Sequence, residues 1–383
     1  MRNINPYIPQ TGSIPPYFSG RNNELKLFET RIQTAKEGGN IGHLAIIGGW
    51  GIGKTSLLKE LKTIAAENKC ESKLVVCPEI KDSNEFSEFI IGKVISPTER
   101  IKIKSVNIMG SGGEIDREVP HKHPQVRLVD ALSEKWNNIK EETKLYALMV
   151  DDIDKLLSAE NALTTLRSTF IELSMEYECR YMLIVTGAED LFDRFAEYGM
   201  TEPLTRFFEP IILRRLNKEE TRAAILKPLE KTSIEFENEV VDKIVNISEG
   251  HPYYIQLLCH RIYERTVDKA IDKADMRVYE DSFEDAINDI SVTRFNKIYP
   301  KSEIEKTILE ILSVSDEPLS HAEIAVEGLK RNIKSSSIGK PLRRLLDKKL
   351  VKQMEIGDKK GKYKIFDNFF NEYVRLKDQL QTF

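Results

Sequence analysis

Five short apolar runs give the first 216 residues a regular rhythm: HLAIIGG (43–49), KLVVCPEI (73–80), LYALMVDD (145–152), RYMLIVTG (180–187) and EPIILRRL (209–216). Each is nearly continuously hydrophobic, the pattern of a strand buried on both faces. Between them the apolar positions fall at helical spacing, as in Leu57, Leu58, Leu61, Ile64 and Ala65, which share one helix face. Strands alternating with helices predict an α/β core, a parallel sheet covered on both sides. Residues 92–126 interrupt the rhythm. There RIKIKSVNIMGSGGEIDREV alternates apolar and polar residues around a glycine cluster, predicting an inserted hairpin or flap. Such a loop either meets a partner or is a plain surface hairpin.

Strand signals stop at Asn217. NKEETRAAILKPL, ENEVVDKIVNIS, HPYYIQLLCHRIYERTV and YEDSFEDAINDI all carry the helical period and predict a small helical lid. After NKIYPKSE, three helices follow in EIEKTILEILSV, SHAEIAVEGL and SSSIGKPLRRLLDKKL, then two strands around the GDKKG turn. Three helices and a hairpin fit a winged helix-turn-helix. The expected division is an α/β core over 1–216, a lid over 217–297 and a winged helix over 298–383.

Composition narrows this little. At 383 residues, 40% hydrophobic and 31% charged, the chain has material for two or three globular domains. A net charge of −4 argues neither for nor against nucleic acid. No run approaches the roughly 20 apolar residues of a membrane span, so no membrane partner is expected. MRNINPYIPQTGSIPP has no apolar signal core, and its prolines predict an extended lead-in. Cys70, Cys77, Cys179 and Cys259 lack CxxC spacing and read as reduced thiols of a cytoplasmic protein. His121 and His123 in HKHP have no cysteine or acidic cluster to make a metal site.

The chemistry is concentrated after the first strand. Gly48, Gly53, Lys54 and Thr55 satisfy G-x-x-x-x-G-K-[ST] between a strand and a helix. Gly48, Gly49, Trp50, Gly51, Ile52 and Gly53 form a turn whose N–H groups converge on phosphates. Lys54, Thr55 and Ser56 then open a helix whose N-terminus adds its positive end. Lys54 is expected at the β- and γ-phosphates and the Thr55 hydroxyl on Mg²⁺. In LMVDDID, Asp151 is expected to hold the metal's hydration shell, and Asp152 to orient or deprotonate the attacking water. Alternatively these acids cap the following helix. Asp154 reads as a helix-start residue, and Thr186 as either a γ-phosphate sensor or a satisfied strand-end hydroxyl.

PYFSGRNNELKLF, the phosphate loop, LMVDDID and IVTG, in this order, resemble the AAA+ and STAND-type P-loop ATPases. The likeness is to the branch of archaeal origin-binding initiators and related ATPases with a C-terminal winged helix, and it spans about residues 5 to 375. It implies an ASCE-type P-loop NTPase core that takes ATP or ADP with Mg²⁺. It implies that Phe18, Gly20 and Arg21 lie against the adenine, and that the Thr186 strand sits between the other two site strands. Arg206, in TEPLTRFFEPIIL, matches an arginine that reaches a neighbouring subunit's γ-phosphate, which would make a homo-oligomer; otherwise it is a surface or structural arginine. SEGHPYYIQLL departs from the mechanical members, which carry a lid arginine near this place. Gly250-His251-Pro252 resembles instead the G-x-P motif of STAND switches, where Pro252 would pack against the nucleotide. Slow hydrolysis that times a state is therefore expected.

From Lys330 to Lys364 the chain carries 13 basic residues against Asp347, Glu355 and Asp358, a net +10 within a chain of −4. Such segregation is the footprint of phosphate binding. Lys340, Arg343, Arg344 and Lys348 on the third helix, with Lys359, Lys360 and Lys362 on the wing, are the candidates for duplex DNA. Three outputs stay open: nucleotide-controlled DNA binding, a signalling switch whose winged helix meets protein or a neighbouring subunit, and a scaffold that hardly hydrolyses.

Overall fold

The computed structural model describes residues 4–10, 17–95, 123–197, 201–356 and 359–380. Most of the anticipated flap (96–122), including His121, lies outside them, as do the side chains of Lys359 and Lys360. The chain forms two compact units. Among the described residues, one takes in those between 20 and 214, and the other those from 215 onward together with 4–10 and 17–19.

The first unit runs α1 (Asn22–Lys36), β1 (His43–Ile47), α2 (Lys54–Glu67), β2 (Glu71–Val76), α3 (Ser83–Val94), α4 (Pro124–Ile139), β3 (Tyr146–Asp151), α5 (Ala162–Met175), β4 (Tyr181–Gly187), α6 (Leu191–Glu197), α7 (Thr201–Phe207) and β5 (Phe208–Ile212). All five expected strands form one sheet in the order β2-β3-β4-β1-β5, every pair parallel. Strand ends differ from expectation where the backbone requires it. β2 stops at Val76, two residues before Pro78, which has no N–H to offer a ladder. Every residue of β3 and β4 is buried, and Leu148, Val150, Leu183 and Val185 pack with Phe86, Leu132, Leu166 and Phe170 of the covering helices. Parallel register brings the carboxyl ends of β1, β3 and β4 to one edge, with Ile47 beside Gly187 and Val150 beside Val185.

His43 opens β1 and accepts the Leu183 N–H on Nδ1 at 3.0 Å. Burial pushes its pKa down to about 4, so the folded protein holds the neutral ring. The unfolded chain binds the proton more readily, and stability is lost as pH falls from about 6.5 towards 4, by at most about 3 kcal/mol. Denaturant melts across that window check this, with His43→Gln expected to flatten the slope.

The second unit contains α8 (Lys218–Leu226), β6 (Glu235–Phe236), α9 (Asn238–Ser248), α10 (Pro252–Asp268), β7 (Lys273–Ala274) and α11 (Met276–Ile290), which continues through a π turn at Ser291–Phe295. Then come α12 (Glu303–Ser313), β8 (Leu319–Ser320), α13 (His321–Lys330), α14 (Gly339–Asp347), β9 (Val351–Ile356), β10 (Lys359–Ile365) and α15 (Asn368–Leu380). β8, β10 and β9 form an antiparallel sheet in that order. Asn217 and Glu220 close a reciprocal capping box on α8, as Ser320 and Glu323 do on α13. One apolar cluster runs from Ile225 through Ile262 and Phe295 to Leu345, Phe369 and Val374. The helical and C-terminal segments therefore share a core.

Residues 4–10, expected with the α/β core, group with this second unit. Tyr7 is fully buried, donates its hydroxyl to the Ile225 carbonyl and stacks 6.1 Å from Phe236. Its carbonyl meets His260 Nδ1 at 2.8 Å. An aromatic ring among polar and proline residues has found the larger apolar surface.

Candidate active site

Gly51 and Gly53 turn the phosphate loop through positive φ (69° and 96°), which only glycine adopts without strain. Gly48 needs to be bare for another reason: a Cβ there would stand 2.9 Å from Ile52 Cγ2. Ile52 is buried beneath the loop, and its carbonyl accepts from Arg21 Nη2 at 3.0 Å. Arg21, expected on the base side, thus braces the loop from a buried position. Trp50 is 40% exposed at the loop's tip. Lys54 donates to the carbonyls of Gly48 (2.7 Å) and Gly49 (3.0 Å). Burial pushes its pKa below the usual lysine range, against the pull of Asp152, Asp154, Asp151 and Glu189.

Lys54, Thr55 and Ser56 make the first turn of α2, and the strand edge meets them. Thr55 Oγ1 donates to Asp151 Oδ2 at 2.7 Å, and Thr186 Oγ1 donates to Asp151 Oδ1. Thr186 accepts in turn from the Asp152 N–H at 2.9 Å. The fully buried Thr186 hydroxyl is therefore occupied as a tie between the Asp151 carboxylate and the Asp152 N–H. Asp152 sits at φ 60°, ψ 49°, a left-handed backbone unusual for a non-glycine residue and frequent at functional sites. Its half-exposed carboxylate lies 3.5 Å from Lys155 Nζ. Thr186→Val, which keeps the shape and removes both hydrogen bonds, should cost about 1–3 kcal/mol of stability. It should also lower any hydrolysis; thermal melts and turnover measured together check this.

A hydroxyl and a carboxylate side by side at a phosphate loop are the hard oxygen donors that suit Mg²⁺, which takes only one or two protein ligands and fills its octahedron with phosphates and water. Among the described residues there is no cluster of three or more His, Cys, Asp or Glu to hold another metal.

Two residues at this edge, Asp154 and Glu189, do more than sequence reasoning assigned to them. Asp154 does not merely start a helix: it accepts the Ala188 N–H at 2.9 Å and Arg194 Nη1 at 3.0 Å, fastening the turn after β4. Burial raises its pKa above the usual carboxylate range, which the Ala188 N–H and Arg194 only partly offset. Glu189, on that turn, places Oε1 3.0 Å from where a Gly49 Cβ would be. The acids of TGAED, directly after a strand end, were the available signal.

The remaining candidates lie elsewhere. Arg206 is exposed in the last turn of α7, before β5, and so at the amino edge of the sheet. It is separated from its own phosphate loop by a five-residue strand, roughly 16 Å. Phe18 (half-buried) and Pro252, the first residue of α10, belong to the second unit. Also in that unit, Lys340 and Arg343 are exposed on α14 and meet no carboxylate among the described residues. Arg344 and Lys348 do: they donate to the two oxygens of the buried Glu305, at 2.5 and 2.9 Å. Burial pushes Glu305 up, and the two cations outweigh it and hold its pKa below the usual range. Lys362 faces Ser320 across the ladder, within electrostatic reach of Glu323.

The model describing the novel STAND NTPase 1 family matches residues 13–355. Among solved structures, the fold is similar to a Walker-type ATPase of Pyrococcus abyssi, with TM-score 0.60 and 14% identity over 94% of this chain and 96% of that one. It is also similar to the ORC2 protein of Aeropyrum pernix in its ADPNP–ADP complexes, with TM-score 0.63 and 13% identity over 97% and 96%. The ADP form of the same protein gives 0.56 and 14% over 97% and 96%. No curated protein matches the chain by sequence.

Proposed function

The chain belongs to the novel STAND NTPase 1 family, and from that premise we propose that it binds ATP with Mg²⁺, hydrolyses it slowly, and uses the nucleotide state to control its C-terminal segment. The observation that carries this is the unbroken chain Thr55–Asp151–Thr186–Asp152 N–H, which joins the phosphate loop to both strand-end acids. Lys54 and the loop N–H groups hold the phosphates, Thr55 and Asp151 would hold the metal, and Asp152 positions or deprotonates the water. Mg²⁺, when bound, neutralises charge on the phosphates and fixes their oxygens. An adenine-side contact from Phe18, a nucleotide contact at Pro252 and Arg206 acting on a neighbouring copy complete the reading, with Arg21 bracing the loop through the Ile52 carbonyl.

For the output, we take 298–383 as a winged helix that meets duplex DNA through backbone phosphates. The support is the segregated charge, with Lys340 and Arg343 exposed and meeting no carboxylate among the described residues. Arg344 and Lys348 already share the Glu305 carboxylate, which makes them the weaker candidates. The test is hydrolysis together with anisotropy on a labelled random duplex, in ATP and in ADP, across several salt concentrations. Binding should weaken with salt, and Lys340→Gln with Arg343→Gln should reduce the log–log salt slope by about 1 for each phosphate no longer neutralised. Hydrolysis with no DNA binding in either state would transfer the reading to a protein partner. A protein that binds ATP but is unchanged in turnover by Asp152→Asn would be a scaffold.

A further inference from the structure

The Gly250–Pro252 turn is built into a junction of four chain segments, all within the second unit. Arg215, the first residue of that unit's long segment, donates from Nη1 to Glu249 Oε2 and from Nη2 to Asp367 Oδ2, both at 3.0 Å. Beside it the Leu216 N–H donates to the Gly250 carbonyl at 2.9 Å. Asp367 is buried, caps α15 by accepting the Phe370 N–H at 3.0 Å, and accepts from the Tyr254 hydroxyl. The Tyr254 ring stacks between His251 (4.2 Å, 25°) and Phe369 (4.3 Å, 18°). The Arg215 guanidinium also lies over the Phe366 ring, 5.6 Å from its centre. Arg294 is within electrostatic reach of Asp367 and Tyr254 from the π turn.

A planar guanidinium holding two carboxylates fixes both in direction as well as distance. One of those carboxylates precedes the turn and the other starts the last helix, more than a hundred residues later in the chain. The stack of His251, Tyr254 and Phe369 ties the same two places through close-packed rings, and close-packed interfaces shift between discrete arrangements instead of stretching.

We infer that Arg215 is a positioning residue coupling the Gly250–Pro252 turn to α15, so that movement of the turn carries the C-terminal segment with it. The inference rests on the reading of Pro252 as a nucleotide contact, which supplies the movement. What responds is then the second unit's helical and C-terminal parts together, with no independent lid beneath a separate C-terminal domain.

The test is amide hydrogen exchange on the full chain with Mg²⁺ and either ATP or ADP, for wild type, Arg215→Ala and Arg215→Lys. In the wild type, residues 249–256 and 366–374 should both differ in protection between the two nucleotides. Arg215→Ala should keep the difference at the turn and reduce that at 366–374 by about fivefold or more, the loss expected when a coupling of about 1 kcal/mol disappears. Arg215→Lys, which can hold one carboxylate, should fall between. A purely structural role would raise exchange equally in both nucleotides and leave the difference intact. Asp367→Asn, which keeps the α15 cap and removes the charge Arg215 grips, gives the same readout should Arg215→Ala fold poorly. A turn that responds while 366–374 does not, or an undiminished response in both variants, overturns the coupling alone. If neither segment responds in the wild type, the Pro252 reading falls and takes the coupling with it.

Discussion

Lys54→Ala should lower kcat for ATP hydrolysis by about 10²–10³-fold, the usual loss when one charge-bearing donor is removed from a phosphoryl-transfer site. The ammonium is held at the loop by the Gly48 and Gly49 carbonyls, so its place does not have to be found at the moment of reaction. Four carboxylates, Asp152, Asp154, Asp151 and Glu189, surround it electrostatically. Without the lysine these acids would face the polyphosphate with nothing between, so nucleotide affinity should fall as well as turnover. The fold should persist. Lys54 is the first residue of α2, its bonds go to loop carbonyls, and alanine is a good helix former. Steady-state hydrolysis, a titration with a fluorescent nucleotide and a thermal melt distinguish these effects. An unchanged kcat with an unchanged melt would sink the assignment of the site.

The largest effect on stability is expected at Gly250→Ala. Gly250 has φ +74°, and a Cβ there would stand 2.0 Å from the Leu216 carbonyl oxygen, a backbone atom that cannot rotate away. The left-handed conformation costs a non-glycine residue about 1–2 kcal/mol, and forcing an atom into a packed site adds about 1–3 kcal/mol. The Leu216 N–H to Gly250 carbonyl bond would be displaced too. An apparent Tm about 5–15 °C lower follows at a few degrees per kcal/mol. Ala substitution at Gly38, also left-handed (φ +87°) but with nothing within 4 Å of the added carbon, isolates the conformational share. Equal losses at the two positions would mean that the close approach to Leu216 carries no weight.

The parts of this protein most legible in its sequence are those whose side-chain pattern follows from a single local rule. Continuous apolar runs of this length between helices can only be buried strands, and all five are there. The phosphate loop carries its glycines where the backbone turns left-handed or closes on Ile52. Less legible were features that depend on pairing between distant segments. Thr186 looks like any polar strand end until register places it between Asp151 and the Asp152 N–H. Arg344 and Lys348 count as free charge until α14 packs on α12 and presents them to Glu305, a residue that reads as one more exposed acid. Tyr7, in a proline-flanked lead-in, gives no local sign of its destination. α15 is not legible in the same way, although Phe369, Phe370, Tyr373 and Val374 have helical spacing, because three helices and a hairpin already satisfy the winged-helix pattern without it.

The sheet order also sets a timetable for synthesis. β1 is among the first strands made, yet it lies between β4 and β5. Gly187, which pairs with Ile47 at the mouth of the loop, emerges roughly 140 residues later. At about 5–20 residues per second that is a wait of about 7–30 s. During it the finished G-G-W-G-I-G-K-T segment has no sheet edge to stand on. Asp151 arrives before Thr186, so the tie between the two acids closes only with β4. Tyr7 waits longer still, for Phe236 and Tyr263. A ribosome stalled after Thr55 has emerged and before Gly187 has would display the complete phosphate-binding sequence without the strand beside which it is seated.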